Sequence, residues 1–136
     1  MAVRYLLDTN IASYVIKGTV PHVRDHLRAV LMTEVGVSAI TEAELRFGAA
    51  RKPQAARLHR AVEEFLLRVE ILPWDSDSAR HYASLRSTLE DSGLPMGNLD
   101  LMIAAQALSS SVVLITHDKA FHRVKHLKIA DWTKPA

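Results

Sequence analysis

Four acidic residues hold the positions from which this chain could do chemistry. Asp8 follows the apolar run Tyr5-Leu6-Leu7 and is followed by Thr9 and Asn10. Glu44 lies in the stretch SAITEAELRFG, Asp100 in GNLDLMIAA and Asp118 in VVLITHDKAF. Each admits a purely structural role. Asp8 and Asp118 are placed to cap helices, accepting hydrogen bonds from unpaired backbone N–H groups. Glu44 stands three residues after Thr41, the spacing of a capping box. Asp100 falls in a first helical turn, where the macrodipole favours an anion by about 0.3–1 kcal/mol. Yet caps need not be acidic, and four carboxylates gathered together would repel one another and resist full ionisation. A divalent cation removes that difficulty. Oxygen donors in a chain without cysteine suit Mg2+ or Mn2+.

The elements that must position these acids follow from the hydrophobic pattern. Short apolar runs predict strands at Arg4–Leu7, Val35–Ser38, Glu70–Leu72, Val112–Thr116 and Lys128–Ala130. Helical periodicity fills the intervals at Asn10–Ile16, Pro21–Thr33, Thr41–Ala50, Gln54–Arg68, Ser76–Asp91 and Asn98–Leu108. Strands alternating with helices predict an α/β layer architecture, and the continuously apolar first and fourth strands suit a parallel sheet covered on both faces. In such sheets ligands bind beyond the carboxyl ends of the strands. Asp8, Glu44 and Asp118 all fall just past predicted strands, and Asp100 opens a helix after the Gly- and Pro-punctuated loop Ser92–Gly97.

Composition narrows the class further. The 136 residues suit one domain, 1–136, with one sizeable core. The absence of cysteine excludes disulfides, thiol catalysis and thiolate metal sites, and fits a reducing cytoplasm. Leu101 to His117 carries no Lys, Arg, Asp or Glu, but its Ser109-Ser110-Ser111 centre divides it into a helix and a buried strand, so no membrane span is expected. Setting four of the fifteen acids aside leaves eleven against seventeen Lys and Arg, a surface leaning towards a polyanion.

The motifs DTN at Asp8–Asn10, E-L-x-x-G at Glu44–Gly48, D-x-x-I-A-A at Asp100–Ala105 and T-H-D-x-x-F at Thr116–Phe121 together resemble the PIN-domain ribonucleases. More narrowly, the chain resembles the VapC toxins of type II toxin–antitoxin pairs, from Leu6 to the terminal IADW. The resemblance implies a PIN-like three-layer α/β/α domain with a central, mostly parallel sheet of four to five strands. It implies a metal-dependent endoribonuclease, with Asp8 and Asp100 holding the principal Mg2+ (Mn2+ as a substitute) and Glu44 and Asp118 completing a second site or orienting water. Thr9 and Thr116 could place hydroxyls near these ligands, and Arg46 and Lys119 are the candidate phosphate contacts; Glu42 reads as a surface acid. Implied partners are an RNA substrate, a VapB antitoxin laid over a groove near the acids, and a second copy in a homodimer. The G-x-P-x-G-x-x-D pattern at Gly93–Asp100 and the Asp131-Trp132 pair match a branch that cuts initiator tRNA in its anticodon loop and stops translation.

Other readings compete. His22/His26 and His122/His126 have the i,i+4 spacing of paired zinc ligands, without an HExxH motif or a third ligand. A receiver-type signalling domain also places Mg2+-binding acids at strand ends, but normally shows adjacent acids after its first strand, where this chain has Asp8-Thr9. A non-catalytic RNA-binding module would leave the acid set unexplained.

Overall fold

The computed structural model describes residues 2–136. Its elements are β1 (Tyr5–Leu7), α1 (Thr9–Lys17), α2 (Pro21–Arg28), β2 (Val35–Ser38), α3 (Ala39–Ala50), α4 (Ala56–Arg68), β3 (Glu70–Leu72), α5 (Ser76–Asp91), α6 (Asn98–Ser110), β4 (Val113–Ile115) and β5 (Ile129–Ala130). Two 3-10 turns, Met32–Glu34 and Lys119–Arg123, precede β2 and follow β4. The strands pair in the order β3-β2-β1-β4-β5, and every pairing is parallel.

Alternation along the strands builds the layers. Leu7 packs with Val37, Ile115, Ile11, Val62 and Phe65 on the face covered by α1, α3 and α4. Leu6 packs with Leu114, Leu101, Ile103 and Phe121 on the face covered by α5 and α6. Both leucines are fully buried, as both faces of a parallel sheet require. Gly36 keeps the sheet closed where β2 passes β3: a Cβ there would meet Val3 Cγ1 at 3.0 Å and the Glu70 carbonyl at 3.2 Å. Among the described residues no helix is long and apolar enough to cross a membrane.

Every expected helix except α5 begins or ends elsewhere. α1 gains a residue at each end, α4 starts at Ala56 rather than Gln54 and α6 runs on to Ser110, while β1, β4 and β5 are each shorter than expected. Two of the changes have a clear local cause. The segment expected as one helix over Pro21–Thr33 leaves the helix after Arg28, and Met32–Glu34 forms a separate 3-10 turn. The Glu34 carboxylate accepts from Leu31 N–H at 3.2 Å, and the Glu34 carbonyl accepts from Arg4 N–H at 2.8 Å, so the chain turns into β2 beside β1. The helix expected from Thr41 starts at Ala39 instead, because Ser38 Oγ accepts from Ile40 N–H at 3.0 Å and caps it. Thr41 is therefore an interior residue, and the capping-box role expected for Glu44 does not arise.

The chain proceeds from β1 outward through β2 to β3, then returns across β1 to β4 and β5. The connection reverses direction at the β1–β4 pair, the crevice where open α/β sheets present their ligand sites.

Candidate active site

At that crevice the backbone of Asp8 is tied to β4, its N–H donating to the Ile115 carbonyl at 3.0 Å. The Asp8 side chain caps α1 and faces the crevice together: Oδ1 accepts from Ile11 N–H at 2.8 Å and Oδ2 from the Thr116 hydroxyl at 2.6 Å. Thr116 Oγ1 in turn accepts from Asp118 N–H at 3.0 Å, and Asp118 Oδ1 caps the 3-10 turn through Ala120 N–H at 2.9 Å. One hydroxyl thus joins the acids that follow β1 and β4. Asp8 is only 4 % exposed, whereas Asp118 is open to solvent.

Glu44 arrives from α3. The Thr9 hydroxyl donates to Glu44 Oε1 at 2.7 Å and lies 3.0 Å from the Thr41 hydroxyl. With the Thr9 proton directed at the carboxylate, the fully buried Thr41 supplies the proton of the second bond. Thr41 and Glu44 are one helical step of three apart, so both face α1. Asp100, half-buried, stands in the first turn of α6.

The electrostatics show that the four acids share one field. Burial raises the Asp8 carboxyl above its ordinary pKa; hydrogen bonds from Thr116 and Ile11 oppose this, and the charges of Asp118 and Glu44 add to it. Burial also raises Asp100, reinforced by Asp118, Asp8 and Glu44. Four segments distant in sequence therefore converge on one basin. Among the described residues, however, no three acidic or histidine side chains stand close enough to enclose a metal ion. The two findings are compatible, because charge coupling reaches farther than coordination bonds of about 2 Å. The basin is open, and a small cation in it would keep several water ligands.

The expected substrate contacts divide. Thr9 and Thr116 both bind carboxylates of the basin, while Thr9 also opens α1 and Thr116 accepts from Asp118 N–H in the turn after β4. Lys119 is exposed beside Asp118 and makes no salt bridge among the described residues. Arg46 does not join the basin: its guanidinium is held by Glu42 at 2.9 Å and Glu63 at 2.5 Å, clamping α3 to α4. Glu42, read as a surface acid, is the partner of Arg46 in this partly exposed ion pair. Neither histidine pair forms a ligand set. His26 donates to the Lys134 carbonyl at 2.8 Å and stacks on Trp132, while His126 lies beyond the 3-10 turn in the left-handed region at φ 69°.

Two features escaped the sequence. Thr41, read there as a cap, holds Thr9 against Glu44. Past the end of β4, His117 Nδ1 donates to Asp131 Oδ2 at 2.8 Å, and Thr133 donates to Asp131 Oδ1 at 2.6 Å. Burial raises the Asp131 carboxyl, but these bonds outweigh it and leave the group below its ordinary value. The Asp131-Trp132 motif was the available signal; its partner fourteen residues upstream was not. Beside Glu44 a groove of about 250 Å3, lined by Asn10, Lys17, Leu45, Gly48 and Lys52 among others, runs between α1, α3 and α4.

The family profile of the PIN domain matches residues 5–127. The ribonuclease VapC1 of Haemophilus influenzae (strain R2866) is 39 % identical over 132 residues, covering 96 % of this chain and 98 % of that protein. The tRNA(fMet)-specific endonuclease VapC of Salmonella typhimurium is 33 % identical over 130 residues, covering 95 % and 98 %. A chain in the crystal structure of DNA-bound VapBC from Salmonella typhimurium superposes with a TM-score of 0.89 at 33 % identity, covering 96 % of this chain and 98 % of that one. These matches set aside the receiver-type alternative and agree with the three-layer fold and its parallel sheet. With a family profile over most of its length and near-full-length ribonuclease relatives, the chain belongs to the PIN-domain family, in its VapC ribonuclease branch.

Proposed function

We propose that the protein is a Mg2+-dependent endoribonuclease toxin that hydrolyses a phosphodiester bond in the anticodon loop of initiator tRNA, stops translation in the cytoplasm, and is held inactive by a VapB antitoxin. The observation that carries the reading is the basin itself: four carboxylates from four segments, two with pKa values raised in part by the others' charges. Such an arrangement is costly without a counter-ion, and its oxygen-only donor set fits a hard cation.

Asp8 and Asp100 would hold that cation, with Glu44 and Asp118 as water-mediated or second-site ligands. The chemistry a divalent ion supplies here is neutralisation of phosphate charge and a lowered pKa for water. The chain's own contribution is orientation. Thr116 and the Ile11 N–H fix Asp8, using one lone pair on each of its oxygens, and the Thr41–Thr9 pair fixes Glu44 through Oε1, so lone pairs of both carboxylates remain for the basin. Hydrolysis of this kind needs no attack by the ribose 2′-hydroxyl, so it leaves a 5′-phosphate and a 3′-hydroxyl. An unstacked loop suits an open basin better than a duplex, because its splayed nucleotides reach inward. The groove beside Glu44 is a fitting seat for the antitoxin segment, since its lining joins apolar Leu45 to the polar rim of the site.

The substrate assignment draws on the Salmonella relative's specificity. Total RNA incubated with the protein, followed by mapping of new 5′ ends, tests it. One dominant cut in the anticodon loop of initiator tRNA is expected; uniform degradation of all RNAs would remove the assignment.

A further inference from the structure

Beyond Asp118 the chain runs along the β4–β5 edge of the sheet, and its side chains separate by sign and by burial. Phe121 and Val124 are buried and Leu127 partly so, which turns every third residue inward. Between these anchors Lys119, His122, Arg123, Lys125, His126 and Lys128 are exposed, and no acid occurs from Lys119 to Ala130. None of the four Lys and Arg residues in this stretch forms a salt bridge among the described residues. Elsewhere Arg4, Arg24, Arg46, Arg80 and Arg86 are paired with acids, while other cations such as Arg51, Lys52, Arg57 and Arg60 are also without a salt bridge among the described residues. What sets this stretch apart is its acid-free run directly after Asp118. Arg123 donates to the Pro95 carbonyl at 2.9 Å, fastening this stretch to the loop that leads into Asp100.

We propose that this ridge, Lys119 to Lys128, is the track that carries the phosphate backbone of the substrate RNA away from the acidic basin. The proposal rests on the nuclease reading and adds the surface that makes it workable. Four clustered carboxylates repel a polyanion, so productive approach needs uncompensated positive charge adjoining them. The ridge starts one residue after Asp118, and the Arg123–Pro95 bond holds it beside the Asp100 loop. Cations already paired with acids release few counterions when a phosphate arrives; unpaired ones gain the full effect. Contact along the ridge is made to phosphates and is therefore indifferent to sequence, leaving specificity to the bases near the basin.

The test compares two double variants that remove the same formal charge. Lys125→Gln with Lys128→Gln strips the ridge, while Arg80→Gln with Arg86→Gln strips paired arginines on α5. Binding to tRNA is measured in EDTA across a salt series, and cleavage in Mg2+ is measured on tRNA and on an oligonucleotide of a few nucleotides spanning the cut. The ridge variant is expected to bind tRNA several-fold more weakly, with its log–log salt slope reduced by about 1.4–1.8 for two lost phosphate contacts. Its KM on tRNA should rise with kcat unchanged, and its kinetics on the short oligonucleotide should match the wild type. The α5 variant should match the wild type throughout. Equal effects of the two variants would reduce the ridge to net charge and overturn the proposal, as would wild-type behaviour of the ridge variant. If the wild type cut no RNA at all, the nuclease reading would fall and take the track with it.

Discussion

Asp8 caps α1 through Oδ1 and is tied to the end of β4 through Oδ2, so one side chain joins two elements at the crevice. This explains why a residue that helix statistics alone would justify is also buried at a cost. The raised pKa values of Asp8 and Asp100 have a definite consequence for stability. Below the ordinary carboxylate range both groups are protonated folded or unfolded, and their contribution is intact. As pH rises through their raised folded-state values, the folded chain must ionise them against burial and mutual repulsion, so stability is lost. Melting temperature in EDTA should therefore fall more steeply with rising pH for the wild type than for Asp8→Asn. Mg2+ should restore the wild type, by about 2.7 kcal/mol at a concentration one hundred times its dissociation constant, and leave Asp8→Asn much less affected. Identical pH profiles for the two proteins would remove the electrostatic account of the basin. At this scale the sequence was legible where type and position agree, as with Asp8, Glu44 and Asp118 beyond strands and Asp100 at a helix start. It was silent where a side chain chooses its partner in space: Thr41 meeting Thr9, Arg46 meeting Glu63 on the next helix, and His117 meeting Asp131.

Among the elements, β1 and β4 were readable because a parallel strand buried on both faces leaves an unbroken apolar run, and α5 was expected over the range it occupies. Two of the boundaries that moved did so for reasons visible in local hydrogen bonds. Ser38 captured the start of α3 from Thr41, and Glu34 capped a separate turn where α2 had been expected to continue. The short β5 and the tail after it depend on contacts far away in sequence. Trp132 is buried against Tyr5 at 5.4 Å and stacks on His26 at 5.6 Å, so the C-terminal residues are pinned to β1 and α2. Trp132→Ala should cost about 3–5 kcal/mol, the usual range for truncating a buried aromatic, read as a lower midpoint in a denaturant titration. A loss under about 1 kcal/mol would mean that the tail is not docked in solution as the packing implies.

Over the whole molecule, charge is arranged rather than balanced. The four candidate site acids follow β1, β2 and β4 or open α6, while the acid-free run Lys119–Lys128 between β4 and β5 carries four unpaired cations. The small formal net charge of +2 conceals both. Composition alone could indicate only a lean towards a polyanion; the topology, with its reversal at the β1–β4 pair, is what sets the two fields side by side. The central claim is that the converged carboxylates cut RNA with the help of a divalent ion. Its most direct measurement is cleavage of tRNA with Mg2+ and with EDTA, with chemical identification of the new ends, for the wild type and Asp100→Asn. Cutting that requires Mg2+, leaves 5′-phosphate and 3′-hydroxyl ends and vanishes in Asp100→Asn is the predicted result. Cutting that persists in EDTA and leaves a 2′,3′-cyclic phosphate would contradict it.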